Sequence, residues 1–124
     1  KAWEIILEKF KMGEHAAKTS KKSTMVVETH TTYNQEVKQG EEVDIILTYF
    51  DHDKKRLHFK LEMYEKTKKT LSATIEMLSL YIDLSKRKVA EFEEEKVRIM
   101  DEFINKNKSE FVLDNLIFSD KLKK

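Results

Sequence analysis

The sequence contains no cysteine and no proline, and its two glycines are Gly13 and Gly40. Without cysteine there can be no disulfide, no thiolate nucleophile and no thiolate zinc site. A reducing compartment is compatible with that absence, and the cytoplasm is the expected location. No apolar run approaches the roughly 20 residues that span a bilayer as a helix, and no signal-peptide pattern is visible, so no membrane partner is expected. Charge of one sign is also lacking: 24 Lys and Arg stand against 23 Asp and Glu, for a net charge of +1. Such a balance gives no electrostatic case for nucleic acid as a partner. Three catalytic signatures are missing as well: a His-Glu-x-x-His zinc helix, a glycine-rich phosphate loop and a Gly-x-Ser-x-Gly elbow. No metal is expected.

What remains is a chain of 124 residues, 40% hydrophobic, with seven Phe, four Tyr and one Trp. That composition argues for a folded core and against disorder, and the length suggests one domain that would gain from a second copy. Residues 1–12 carry Ala2, Trp3, Ile6, Leu7 and Phe10 at helical spacing, with Gly13 placed as a C-terminal cap. The chain opens on Lys1 with no capping residue before the helix, which points to residues upstream. A polar loop is expected over 14–24, with His15 exposed.

Four strands then follow. Met25–Tyr33 is rich in β-branched residues, and strict alternation sets Val27, Thr29, Thr31 and Tyr33 opposite Val26, Glu28, His30 and Thr32. Residues 42–51 are partly apolar on both sides, as an interior or well-covered strand would be. Residues 56–65 alternate most cleanly: Leu57, Phe59, Leu61 and Met63 face a core, while Arg56, His58, Lys60, Glu62 and Tyr64 face solvent. Residues 70–84 fit a long strand with a bulge or bend near Met77 and Leu78, though a helix is also compatible with them. A charged helix is expected over 91–107 with Phe92, Val97, Met100, Phe103 and Ile104 as its apolar stripe. The apolar tail after it should dock on the domain or on a partner, with Lys121, Lys123 and Lys124 as a solvated terminus. Residues 1–90 would form one domain, incomplete at its N-terminus, with 91–124 packed on it.

The residues offer acid–base chemistry at Glu28 and His30, which lie two apart on one strand face. A carboxylate beside an imidazole can orient it and favour its charged form. An edge-of-sheet polar pair meeting water or a second subunit is the competing reading. His58 is expected on the solvent side of its strand and His52 in a turn. The strand 25–33 has no Lys, Arg or Pro to guard it as an edge, so it is expected to pair with its copy across a twofold axis.

Short motifs occur in a telling order: Val27-Glu28-Thr29-His30 with Tyr33, Gly40-Glu41 before a strand, Asp53-Lys54-Lys55-Arg56-Leu57-His58, and Tyr81-x-Asp83-Leu84 before a basic turn. Over roughly residues 1–95 the chain resembles the thioesterases of the 4-hydroxybenzoyl-CoA type, and within these the betainyl-CoA thioesterase-like branch. The resemblance implies an α+β hotdog fold, an antiparallel sheet wrapped around one helix, here with an added C-terminal helix. It implies hydrolysis of an acyl-CoA thioester at the interface of a homodimer, or of a tetramer built from such dimers. No cofactor is implied beyond the coenzyme A carried by the substrate. The family's catalytic loop, Asp-x-Asn-x-His-x-Asn-like, has no counterpart in this sequence, so the main acidic or polar group is expected upstream of Lys1, activating water or attacking the carbonyl. The N-terminus of a helix would polarise that carbonyl. Glu28 and His30 would then be supporting groups, and Thr29, Thr31 and Tyr33 would contact substrate. Arg56, Lys86, Arg87 and Lys88 would meet the CoA phosphates, unless they are solvated turn residues. A hotdog module that binds acyl-CoA or dimerises without catalysis is the alternative, and a helical 70–84 would mean another α+β fold.

Overall fold

The computed structural model describes residues 21–34, 40, 42–113 and 116–123. The helix expected over 1–12, its Trp3 and Gly13, and the loop with His15 lie outside these residues. Among the described residues five strands are present: β1 (Lys22–Tyr33), β2 (Val43–His52), β3 (Arg56–Glu65), β4 (Thr70–Asp83) and the two-residue β5 (Lys88–Val89). One long helix, α1 (Glu94–Asn107), follows, with short 3-10 turns at Lys108–Glu110 and Ser119–Lys121. The sheet order is β1-β4-β3-β2 and every pairing is antiparallel. β5 adds to β4 through Ile82 and Asp83.

The turns are built by acceptors. Asp53 takes the N–H groups of Lys55 and Arg56 in the β2–β3 turn. Glu65 takes those of Thr67 and Lys68 in the next turn, and Asp83 those of Ser85 and Lys86 after β4. Side-chain carboxylates thus satisfy the orphan donors that a chain with no proline and few glycines must place somewhere.

Residues 70–84 form a strand, not a helix, and its irregularities differ in place from those expected. Ser72 is an extra residue against β3, and opposite Leu78 and Ser79 the extra residue is Val27 of the partner strand β1. The Val27 bulge also changes the faces of β1. Val26 and Glu28, expected on one side, fall on opposite sides, and Thr29, Thr31 and Tyr33 share their side with Val26 and not with Val27. β1 begins at Lys22, inside the stretch expected as loop.

One sheet face carries Leu47, Phe50, Leu57, Phe59, Leu61, Met77 and Tyr81, and α1 seals it with Val97, Met100, Phe103 and Ile104. Phe50 meets Phe103 edge-on at 5.7 Å, and Tyr81 stacks on Phe92 at 4.7 Å. The helix begins three residues later than expected, so Phe92 precedes it, while Val97, Met100, Phe103 and Ile104 lie where the periodicity puts them. Glu94 and Glu95 occupy its first turn, where the helix dipole favours carboxylates. Glu93, just before it, gives its carboxylate to tertiary contacts: Lys22 Nζ at 2.6 Å, the Tyr81 hydroxyl at 2.9 Å and Lys96 Nζ at 3.2 Å. Burial alone would raise this carboxyl, but the donors outweigh it and bring it down to about 2.

β2 is an edge strand, so of the two readings of its apolar character the interior one fails and the well-covered one holds. Both of its sides meet other parts of the chain. After α1 the chain passes the β2 edge, where Val112 N–H donates to Thr48 O at 2.9 Å and Phe111 touches both Tyr49 and Phe103. It then crosses to the other sheet face. β1 is the opposite edge, and it exposes Met25 (53%), Val26 (43%) and Tyr33 (83%).

Candidate functional site

The second sheet face carries the polar residues of the alternation, and the tail 116–123 lies across it. Its centre is a buried carboxylate–imidazole pair. His58 Nε2 donates to Glu76 Oε2 at 2.6 Å, and both side chains are almost wholly buried. This corrects the expectation that His58 is solvent-exposed: alternation gave its side correctly, but the tail covers that side. Glu76 also accepts the Ile117 N–H, at 2.8 and 2.9 Å from its two oxygens, and the Phe118 N–H at 2.8 Å. The Phe118 ring stands edge-on to His58 at 6.3 Å. Burial pushes the Glu76 carboxyl up, but the Phe118 N–H, the His58 ring and the Ile117 N–H together hold it below the ordinary carboxylate value. His58 Nδ1 is buried with no partner among the described residues.

Asp53 anchors the other end of the tail. Its side chain is buried, and it accepts Lys123 N–H at 2.8 Å and Arg56 Nη1 at 3.0 Å besides the two turn N–H groups. These four donors outweigh its desolvation and lower its pKa. His52 is likewise not an exposed turn residue. It ends β2, with Nδ1 2.9 Å from Asp53 O and Nε2 2.7 Å from Asp101 of α1.

Beside the tail lies a cleft of about 490 Å³. His30, Thr32 and Asn34 of β1 and its end, Lys60 and Glu62 of β3, and Leu71, Thr74 and Glu76 of β4 line it. Leu116 and Ile117 of the tail close one wall. The Thr32 and Thr74 hydroxyls bond each other, and Glu62 accepts the Tyr64 hydroxyl at 2.7 Å. Lys60, expected in solvent, is only 7% exposed. Among the described residues no group of three or more His, Asp or Glu is arranged to hold a metal ion.

The model of the thioesterase-like superfamily matches residues 1–106. The chain belongs to that superfamily. Solved structures agree on the fold. The Staphylococcus aureus protein SAV2348, solved in complex with CoA, is 20% identical with a TM-score of 0.77, over 98% of this chain and 73% of that one. A DHNA-CoA thioesterase from Staphylococcus aureus is 13% identical with a TM-score of 0.76, over 90% and 76%. The 1,4-dihydroxy-2-naphthoyl-CoA thioesterase Slr0204 from Synechocystis is 16% identical with a TM-score of 0.68, over 81% and 74%. At these identities the likeness concerns the fold, which is the expected α+β hotdog type: an antiparallel sheet with one long helix. No curated protein matches the sequence. No described helix is long and apolar enough to cross a membrane.

In this thioesterase-like chain the residues singled out from the sequence do not converge. His30 opens on the cleft, directly across from Glu76 in the β1–β4 register. Glu28 shares its sheet face, but among the described residues the two make no hydrogen bond, and both are exposed. Thr29, Thr31 and Tyr33 lie on the opposite face, away from the cleft. Arg56 is tied to Asp53 at the far end of β3. Lys86, Arg87 and Lys88 are exposed beyond the end of β4, and Asp83 there is about 23 Å along the strand from Glu76 at the usual rise of about 3.3 Å per residue. Sequence reading missed Glu76, His58 and Lys60 as site residues. The signal available was cross-strand: His58 and Glu76 are a buried acid–imidazole pair on neighbouring strands, visible only once register is known.

Proposed function

We propose that the chain hydrolyses acyl-CoA thioesters as a cytoplasmic homodimer, with the acyl group in the cleft between β1, β3, β4 and the tail. Membership of the thioesterase-like superfamily over residues 1–106 carries this reading. The cleft adds support, because its volume of about 490 Å³ suits a small organic group and its largely polar lining, with Leu71, Leu116 and Ile117 as its apolar part, offers groups to orient one. In this reading His30 supports the attack of water on the thioester carbonyl. The principal acid or polar group lies outside the described residues. Arg56, Lys86, Arg87 and Lys88 would meet the distant phosphates of CoA, with Thr29, Thr31 and Tyr33 reached only where a second subunit continues the sheet. The bare β1 edge, with Met25, Val26 and Tyr33 exposed, is the surface proposed for that pairing.

One observation favours the non-catalytic alternative: the single buried acid–imidazole pair of the described residues is spent on the tail rather than presented to substrate. Turnover decides between the two. Purified protein is expected to release free CoA from at least one member of a panel of short aliphatic, aromatic and cationic acyl-CoAs, betainyl-CoA among them. It is expected to sediment as a dimer at micromolar concentration. Binding of acyl-CoA without turnover across the panel would establish the module instead, and a stable monomer would remove the interface.

A further inference from the structure

Among the described residues the Lys60 side chain has no carboxylate partner. Its side chain rises from the middle of β3 into the cleft, between Glu76 of β4 and Tyr49 of β2 in the register. The residue is only 7% exposed, yet among the described residues no carboxylate lies within 4.0 Å of Nζ and no hydrogen bond reaches it. Nor is Nζ among the sealed polar atoms that lack a partner, so it keeps contact with the open space of the cleft. Buried charges in proteins are ordinarily paired.

The two carboxylates beside it are already engaged. Glu76 is filled by His58, Ile117 N–H and Phe118 N–H. Glu62 accepts the Tyr64 hydroxyl. His30 stands at the exposed rim, and Thr32 and Thr74 satisfy each other. The Glu62 carboxylate keeps only that one donor among the described residues, and Lys60 is the one Lys or Arg side chain that lines the cleft.

We propose that Lys60 is the anchor for a carboxylate carried by the acyl group, so that the cleft selects acyl-CoAs whose acyl chain ends in an anion. The assignment rests on the acyl-CoA reading above and gives that substrate a chemical class, opposite in charge to the betainyl group. A carboxylate there forms a charge-assisted bond in a site shielded from water, where such bonds are strongest. A CoA phosphate is the other anion of the substrate, and the acyl end is preferred because the cleft is closed on one side by Leu116 and Ile117 and holds only a small group.

The test is calorimetric titration of the full chain with succinyl-CoA, butyryl-CoA, betainyl-CoA and free CoA, for the native protein and for Lys60→Met and Lys60→Arg. Succinyl-CoA should bind about tenfold or more tightly than butyryl-CoA to the native protein. Lys60→Met, which keeps the apolar stem, should erase that difference, and Lys60→Arg should restore part of it. Thermal melting checks that each variant is folded. Equal binding of the two esters, preference for betainyl-CoA, or a succinyl preference surviving in folded Lys60→Met would overturn the assignment. So would a loss for free CoA as large as that for succinyl-CoA, because the anion would then be a phosphate. Selective binding without turnover leaves the anion site standing and removes hydrolysis; turnover without charge preference does the reverse.

Discussion

Replacing Glu76 by alanine is expected to cost about 3–5 kcal/mol, because a buried carboxylate is taken from all of its donors. Three donors lose their acceptor at once: His58 Nε2 and the N–H groups of Ile117 and Phe118. Chemical denaturation measures the loss, and limited proteolysis reads whether cleavage moves into 116–123. The cleft should open with it, since Leu116 and Ile117 form one of its walls. The contrast is the double change Glu76→Leu with His58→Met, expected to recover only the share due to His58, because the Ile117 and Phe118 N–H groups still lack an acceptor. A Glu76→Ala protein within about 0.5 kcal/mol of the native one would mean that the tail is not held by this carboxylate.

The same contact sets an acid limit. The Glu76 carboxyl is lowered in the folded protein from its ordinary value of 4.5, so the folded state prefers the ionised form. Its contribution is complete above that value and drains away as pH falls below it, through the folded value. Asp53 and Glu93 are lowered too and act in the same direction. Stability should therefore fall steeply in acid, and Glu76→Ala should flatten part of that slope.

The elements were legible in the residues because local periodicity decides them. Leu57, Phe59, Leu61 and Met63 alternate with no break, and Val97, Met100, Phe103 and Ile104 keep a helical stripe, and both sets pack as that spacing requires. What stayed hidden is non-local. Alternation says that His58, Lys60 and Glu62 share a side, but not that a tail from beyond residue 115 covers it. The apolar look of β2 has the same origin: Ile45 and Leu47 share the face of the α1-packed core, while Tyr49 meets Phe111, so an edge strand resembles an interior one. The Val27 bulge adds one residue without breaking the β-branched composition, so a strict period-two reading groups it with the wrong neighbours. For the site, Glu28 and His30 stood out because they are close in sequence. The pair that the fold buries, His58 and Glu76, joins two strands and carries no local mark.

Asp53→Ala is expected to cost about 3 kcal/mol, because one buried carboxylate serves four donors, and hydrogen bonds to charged groups contribute about 1.5–3 kcal/mol each before relaxation. Two of those donors, Lys55 and Arg56 N–H, belong to the turn, while Lys123 N–H belongs to the tail. Asp53→Asn keeps one acceptor for the turn but sets an amide against Arg56 Nη1 or Lys123 N–H, so it should recover only about half of the loss. Combining Asp53→Ala with Glu76→Ala separates two pictures of the tail. Asp53 and Glu76 share no hydrogen bond with each other, so independent contacts would give additive costs to within about 0.5 kcal/mol. If 116–123 docks as one unit, releasing it at either end already forfeits part of the other contact, and the double variant loses about 1 kcal/mol or more less than the sum. Simple additivity would mean two separate anchors on an otherwise loose segment. In that case the wall that Leu116 and Ile117 give the cleft would depend on Glu76 alone.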